Sequence, residues 1–261
     1  MRLLSASLAA ICAIVILAGG PGTAGAAPAD YGKVLISSPS GKGTLPPAVF
    51  DHWLHRARYT CRLCHVDIAF ALKANGTSIT EADNQKGIYC GVCHNGKMLS
   101  GGKPLFAACT EDRTDAKRCA RCHAQDKGAS SAAGFAAFTA KLPKDKFGNG
   151  VNWEKAAEDG LIRPADYLEG VSIKRPEQTV QGDFSIKPKE AGKAEILFSH
   201  RKHMLWNGCE VCHPEIFKGG KRGTTTYSMK EIEQGKFCGV CHRAVAFPIE
   251  DCSRCHSQPV H

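Results

Sequence analysis

The sequence predicts a mostly α, loop-rich fold with sparse regular structure, organised as two pseudo-repeated units. Three observations carry this reading. First, 14 of 261 residues are Cys, a usage that calls for disulfides, metal or covalent attachment. Second, twelve of these cysteines fall into six copies of one pentapeptide, C-x-x-C-H. Third, the copies recur at a fixed offset: Cys61 to Cys209 and Cys90 to Cys238 are both 148 residues. With 43% apolar and 23% charged residues, the chain is neither a disordered tail nor collagen-like.

In chain order, residues 1–26 read as a secretory signal. Arg2 is the only charge before Asp30, Leu3 to Leu17 form an apolar run, and Gly19 to Gly22 break it. Ala24-Gly25-Ala26 then supplies a small-x-small cleavage site. The run is shorter than the ~20 apolar residues of a spanning helix, and retention as an anchor is the alternative. Cys12 follows bulky Ile11 and is discarded with the signal. The mature chain is expected in the periplasm, or else outside the cell or on the outer membrane, with no stable membrane span. Its net charge falls from +9 to +8 once Arg2 is removed.

The six pentapeptides are Cys61/Cys64/His65, Cys90/Cys93/His94, Cys119/Cys122/His123, Cys209/Cys212/His213, Cys238/Cys241/His242 and Cys252/Cys255/His256. This pattern is the attachment signal for c-type haem. Positions i and i+3 share one helical face, so both thiols can add to the vinyl groups of one porphyrin. The following His reaches the iron from below. Six covalent haems are therefore expected. Paired C-x-x-C units could instead build zinc sites, but a His after every pair would then be unexplained. Thiol redox enzymes carry one or two such motifs within a βαβ pattern. Cys109 is left over in a polar loop and is given no role.

The duplication extends beyond the motifs. Phe50-Asp51-His52-Trp53-Leu54-His55 matches Phe198-Ser199-His200-Arg201-Lys202-His203, and Gly87 matches Gly235. The register breaks at the third motif, where the first half carries 15 extra residues around Asn95 to Lys117. Gly101-Gly102 marks these as a surface loop. We therefore expect triheme units at 32–127 and 183–261, joined by a linker over 128–182. Within the linker, Ser130 to Ala140 and Trp153 to Asp159 read as short helices, and the part around Pro164 and Pro176 as extended connector. Trp153 and Tyr167 are too bulky for a bare linker and are expected to pack. Val34 to Ser37 and Glu195 to Phe198 read as short strands, and each C-x-x-C-H as a helix of one or two turns. So short a chain cannot build a conventional core, and the haems must supply it. The apoprotein should be largely unfolded.

Each iron needs a second axial ligand. The non-motif histidines are His52, His55, His200, His203 and His261. At i, i+3 the rings of each pair leave one helix face and can ligate two different haems. Phe-x-His-x-x-His, a C-x-x-C-H starting nine residues after the first His, Gly-x-x-C-x-x-C-H and a third C-x-x-C-H together resemble the c(7)-type triheme cytochrome domain. That family is related to the tetrahaem class III cytochromes c. The resemblance covers both units. It implies bis-His, low-potential electron carriers of the periplasm, typical of anaerobic metal- and sulfur-reducing bacteria. It makes His52, His55, His200 and His203 distal ligands to the first and second haems of each unit. The chain departs from the family near Lys86 and Gln234, where a third distal His would stand. His261, Met229, Met98 or an open iron remain for the third haems; Met would raise the potential.

The expected function is electron carriage between redox partners: other cytochromes, and quinol-oxidising or terminal reductase complexes of the membrane. No turnover of a substrate is expected. A multihaem reductase using a five-coordinate haem is the alternative, as is a subunit of an extracellular or outer-membrane conduit. Each ferric haem adds about −1 through its propionates, so the basic excess largely compensates cofactor. No basic run interleaved with aromatics points to nucleic acid. At the ~12 Å iron spacing that the family's packing implies, one charge shifts its neighbour by about 1.4 kcal/mol at an effective dielectric of 20, or about 60 mV. A spectroelectrochemical titration should therefore be broad and multi-step; one potential fitting all haems would contradict close packing.

Overall fold

The computed structural model describes residues 30–38, 45–112, 114–123, 129–188, 192–219 and 221–259. The expected signal segment and His261 lie outside them. As the motifs foretold, regular structure is sparse and the two halves repeat.

Each unit opens on a two-stranded antiparallel hairpin. In the first, β1 (Lys33–Ile36) pairs with β2 (Ala48–Asp51), Val34 facing Phe50. The second unit repeats this further along, as described below. Expected strands at Val34 to Ser37 and Glu195 to Phe198 are present, the first displaced by one residue and the second shorter by one. Their partners are too short for an alternating pattern to register. Helix α1 (His52–Arg56) follows β2 directly, so the strand's last residue is the helix's first flank. Helix α2 (Glu81–Gln85) is fixed by a capping box between Thr80 and Asp83, which satisfies two orphan donors reciprocally.

The 15-residue insertion is a small hairpin, β3 (Leu99–Ser100) with β4 (Lys103–Pro104), turned by Gly101 and Gly102 at positive φ. After it come α3 (Ala116–Cys119) and two linker helices, α4 (Ala129–Thr139) and α5 (Trp153–Glu158). Asn152 caps α5 by accepting from the Lys155 N–H at 3.0 Å. The second unit then runs β5 (Phe184–Ile186), β6 (Ile196–Phe198), α6 (His200–Asn207), α7 (Met229–Glu233), α8 (Gly239–His242) and α9 (Cys252–Cys255). Strands β5 and β6 pair antiparallel, Phe184 facing Phe198. Ser228 and Glu231 form the capping box of α7, at the same offset of 148 as Thr80 and Asp83.

Two motifs form the expected one-turn α-helix and a third begins on the last residue of one, Cys119; the other three are less regular than expected. The first motif is a π-helical turn (Leu63–Asp67) and the second a 3-10 turn (Tyr89–Val92); around Cys209 there are only turns. What persists is one hydrogen bond. The His N–H donates to the first Cys carbonyl in five motifs, from 2.8 Å at His94 and His123 to 3.0 Å at His213 and His242. One closed turn is all the attachment geometry requires.

The apolar cluster of the described residues lies mainly in the linker. Phe135, Leu142, Val151, Trp153, Ala156 and Ile162 pack with Trp53 and Ala57 of the first unit, and Trp206 of the second packs against them. Trp153 is thus buried, as expected of its bulk, and donates Nε1–H to Asn149 Oδ1 at 3.0 Å. Tyr167 is not: it is 43% exposed. Ala165 pairs with Tyr59 and the exposed Asp166 pairs with Arg62. The connector is nonetheless pinned, because Arg175 bridges Asp67 and Glu210 at 2.7 Å each.

Gly91 and Gly239, inside the second motif of each unit, admit no side chain. A Cβ there would lie 1.9 Å from the carbonyl oxygen of Asn84 or Ile232, the backbone of α2 or α7. Gly91→Ala or Gly239→Ala should cost about 3 kcal/mol or more, read as a lower guanidinium midpoint of the holoprotein. Gly134→Ala in α4, where nothing lies within 4 Å, should instead stabilise by about 0.5–1 kcal/mol.

Candidate functional site

One cavity of about 2440 Å³ runs through the molecule. An ordinary small-molecule pocket is about 300–1,000 Å³, so this one is sized for several large groups. Its wall includes at least one Cys of every motif: Cys61, Cys90, Cys122, Cys212, Cys238 and Cys252 among them. Most of the wall is otherwise apolar and aromatic, which suits flat hydrophobic rings.

The histidines are held alike. In nine of the ten described, Nδ1 lies 2.6–3.1 Å from a backbone carbonyl. A carbonyl only accepts, so Nδ1 carries the proton and Nε2 keeps its lone pair. This is the arrangement that orients a metal-ligating imidazole. The partners repeat between units: Gly32 and Gly182 for His52 and His200, Asp51 and Ser199 for His55 and His203, Phe70 and Phe217 for His65 and His213. Pro46 and Ala194 receive His123 and His256 at 2.7 and 2.8 Å, tying each third motif to the start of its own unit. His94 faces the Phe106 carbonyl without a hydrogen bond of good geometry.

Burial pushes His52, His55 and His242 down to about 4, against the pull of their Nδ1 bonds. These rings are therefore neutral at pH 7, as ligation requires. Burial also pushes the thiols up, to about 12 at Cys64 and Cys241 and about 11 at Cys90, Cys212 and Cys238. Redox-active C-x-x-C pairs have lowered values. Nor does any group of three or more His, Cys, Asp or Glu among the described residues converge as a bare-ion site. The donor set fits covalent haem: two neutral thiols, then an imidazole with Nε2 free.

The structure brings distal candidates onto motif histidines. His55 and His94 have ring centres 6.3 Å apart at 63°; His203 and His242 have 6.1 Å at 63°. His65 lies close enough to His52 to depress its proton affinity. One Phe orients each pair. Phe50 stacks on His55 at 4.4 Å and meets His52 edge-on at 4.8 Å. Phe198 stacks on His203 at 4.4 Å and meets His200 edge-on at 5.0 Å. Met229 lines the cavity, whereas Met98 is not part of its wall.

The family model described as cytochrome c7 and related cytochrome c matches residues 48–128 and 196–257. The chain belongs to the cytochrome c7 family. It is accordingly a multihaem c-type cytochrome with covalently bound haem c, and electron transfer is the business of that family. Among solved structures it is similar to the C-terminal hexaheme fragment of GSU1996, at 27% identity over 86% of this chain and 96% of that one, TM-score 0.26. The N-terminal hexaheme fragment gives 24% over 86% and 98%, TM-score 0.24. The dodecaheme cytochrome c GSU1996 itself gives 25% over 86% of this chain and 48% of that one, TM-score 0.27. No curated protein matches. No described helix is long and apolar enough to cross a membrane.

Several site residues escaped the sequence reading. Phe50 and Phe198 stood in the repeat but their stacking role did not. Phe106 and Phe247 pack on His94 and His242 at 4.5 and 4.2 Å, and Arg121 and Arg254 cover those same rings at 4.6 and 5.0 Å. Aligning on the third motif, with Arg before the second Cys in both units, would have exposed that set. Phe50→Ala or Phe198→Ala frees two imidazoles at once. We expect heterogeneous low-spin EPR signals from two haems, the others unchanged, and a stability loss of roughly 1–3 kcal/mol.

Proposed function

We propose that this cytochrome binds six haems c and carries electrons between redox partners in the bacterial cell envelope, in anaerobic respiration of the metal- or sulfur-reducing kind. It turns over no substrate of its own. The observation that carries this reading is the spacing of the two histidine pairs. An imidazole nitrogen sits about 2 Å from its metal, so two rings on opposite faces of one iron have centres roughly 6 Å apart. The pairs His55/His94 and His203/His242 meet that requirement at 6.3 and 6.1 Å.

The residue assignments follow. The twelve motif cysteines form the thioethers, and His65, His94, His123, His213, His242 and His256 are proximal ligands. His55 and His203 are distal ligands of the second haem in each unit; His52 and His200 serve the first. For the third haem of each unit, His261 lies outside the described residues, and Met229 is the candidate that lines the cavity. Haem supplies one-electron iron chemistry without change of ligand.

What the chain does is hold the sulfurs in sequence. Cys122 neighbours Cys90, Cys93 neighbours Cys64, Cys61 neighbours both Cys212 and Cys241, and Cys238 neighbours Cys255. That order supports continuous passage from one end of the pair of units to the other. Intact mass of the exported holoprotein should exceed the processed chain by six haems. Low-temperature EPR of the oxidised form should count at least four His/His irons. Colourless protein from cells equipped for haem attachment, or irons that bind cyanide and nitrite and reduce the latter, would overturn it.

A further inference from the structure

The two units are not electrostatic copies. Arg56 closes α1, and 148 residues on its counterpart is Met204. The Arg56 guanidinium sits at the seam between the units. Its Nη1 donates to the Val245 carbonyl at 2.8 Å, and it lies 5.3 Å from the Trp153 ring centre and 5.1 Å from that of Trp206. Beside it, Tyr31 donates its hydroxyl to the next carbonyl, Ala246, at 2.7 Å. Both carbonyls directly follow the second motif of the second unit, whose Cys241 carbonyl accepts from the N–H groups of Val245 and Ala246. The side chain also forms part of the cavity wall.

Among the described residues, the titratable side chains whose charge bears on the guanidinium are Cys61, Tyr31 and Cys241. Its charge is felt at His52 and at His242 as well. These four motif and distal residues belong to two haems only: the first haem of the first unit and the second haem of the second unit. We propose that Arg56 is a half-buried cation at the seam that raises the reduction potentials of those two haems. The inference rests on the six-haem reading and on His52 and His242 being ligands.

The physical reason is simple. Oxidation adds a positive charge to an iron centre, and a fixed cation in a low-dielectric wall opposes it. An arginine keeps its charge at any working pH, so the bias is permanent. Met204 supplies no such charge in the second unit; its sulfur accepts from the Gln181 N–H at 3.5 Å. The duplication therefore carries a cation at this position in one unit and a neutral side chain in the other, located where the two units meet.

The test is a site-resolved redox titration, following assigned haem-methyl NMR signals through reduction, on holoprotein whose six haems are first verified by mass. Arg56→Gln keeps a donor for the Val245 carbonyl and removes the charge. The haems of Cys61/Cys64 and Cys238/Cys241 should fall in potential relative to the other four, and Arg56→Lys should restore them. If Gln does not mature, Arg56→Met copies the residue of the second unit and should give the same selective fall. Unchanged potentials, an equal fall at all haems, or a fall that Lys does not reverse would overturn the proposal. Missing haems in the wild-type protein would instead sink the six-haem reading.

Discussion

The structure depends on a bond between an imidazole and a backbone carbonyl, made by nine of the ten described histidines. It fixes which ring nitrogen holds the proton, the plane of the ring and the direction of the remaining lone pair, all without a second polar side chain. Because the partner is main chain, the interaction survives any change of side chain at Gly32, Asp51 or Pro46 that preserves the local backbone. That explains why two units with little in common outside their motifs keep the same ring geometry. It also explains the hairpins: β1 with β2 and β5 with β6 present those carbonyls at the right place.

Much of this was legible in the sequence. The C-x-x-C-H copies, the two His pairs and the offset of 148 announce the attachment sites and the duplication directly. Strands β1 and β6 and helices α4 and α5 could be read from short patterns bounded by Gly and Pro. The carbonyl partners could not, because a main-chain acceptor leaves no mark in side-chain chemistry. Nor could the pairing of Ala165 with Tyr59 across more than 100 residues. Nor could the backbone just before the second motif of each unit. Tyr89 and Phe237, each just before a motif cysteine, adopt φ of 50° and 51°, a conformation that bulky residues rarely accept and that local propensity would never suggest.

The linker shows the same division between pattern and packing. Its small apolar residues and two helices were evident, but not that they form the one conventional core of the described chain, with Trp53 and Trp206 reaching in from either side. The network of Arg62, Asp166, Arg175, Asp67 and Glu210 adds a polar clamp. Arg62 and Glu210 are the variable residues inside the first motif of each unit. Positions that the attachment chemistry leaves free have been used to join the halves.

The large shared cavity has a consequence for biogenesis. Its wall carries cysteines of all six motifs, so an incompletely furnished chain is left with a void of about 2440 Å³ and little to lean on. Haem attachment must then act on a flexible polypeptide, and maturation becomes strongly cooperative: partly ligated chains are poor folders and ready prey for proteases.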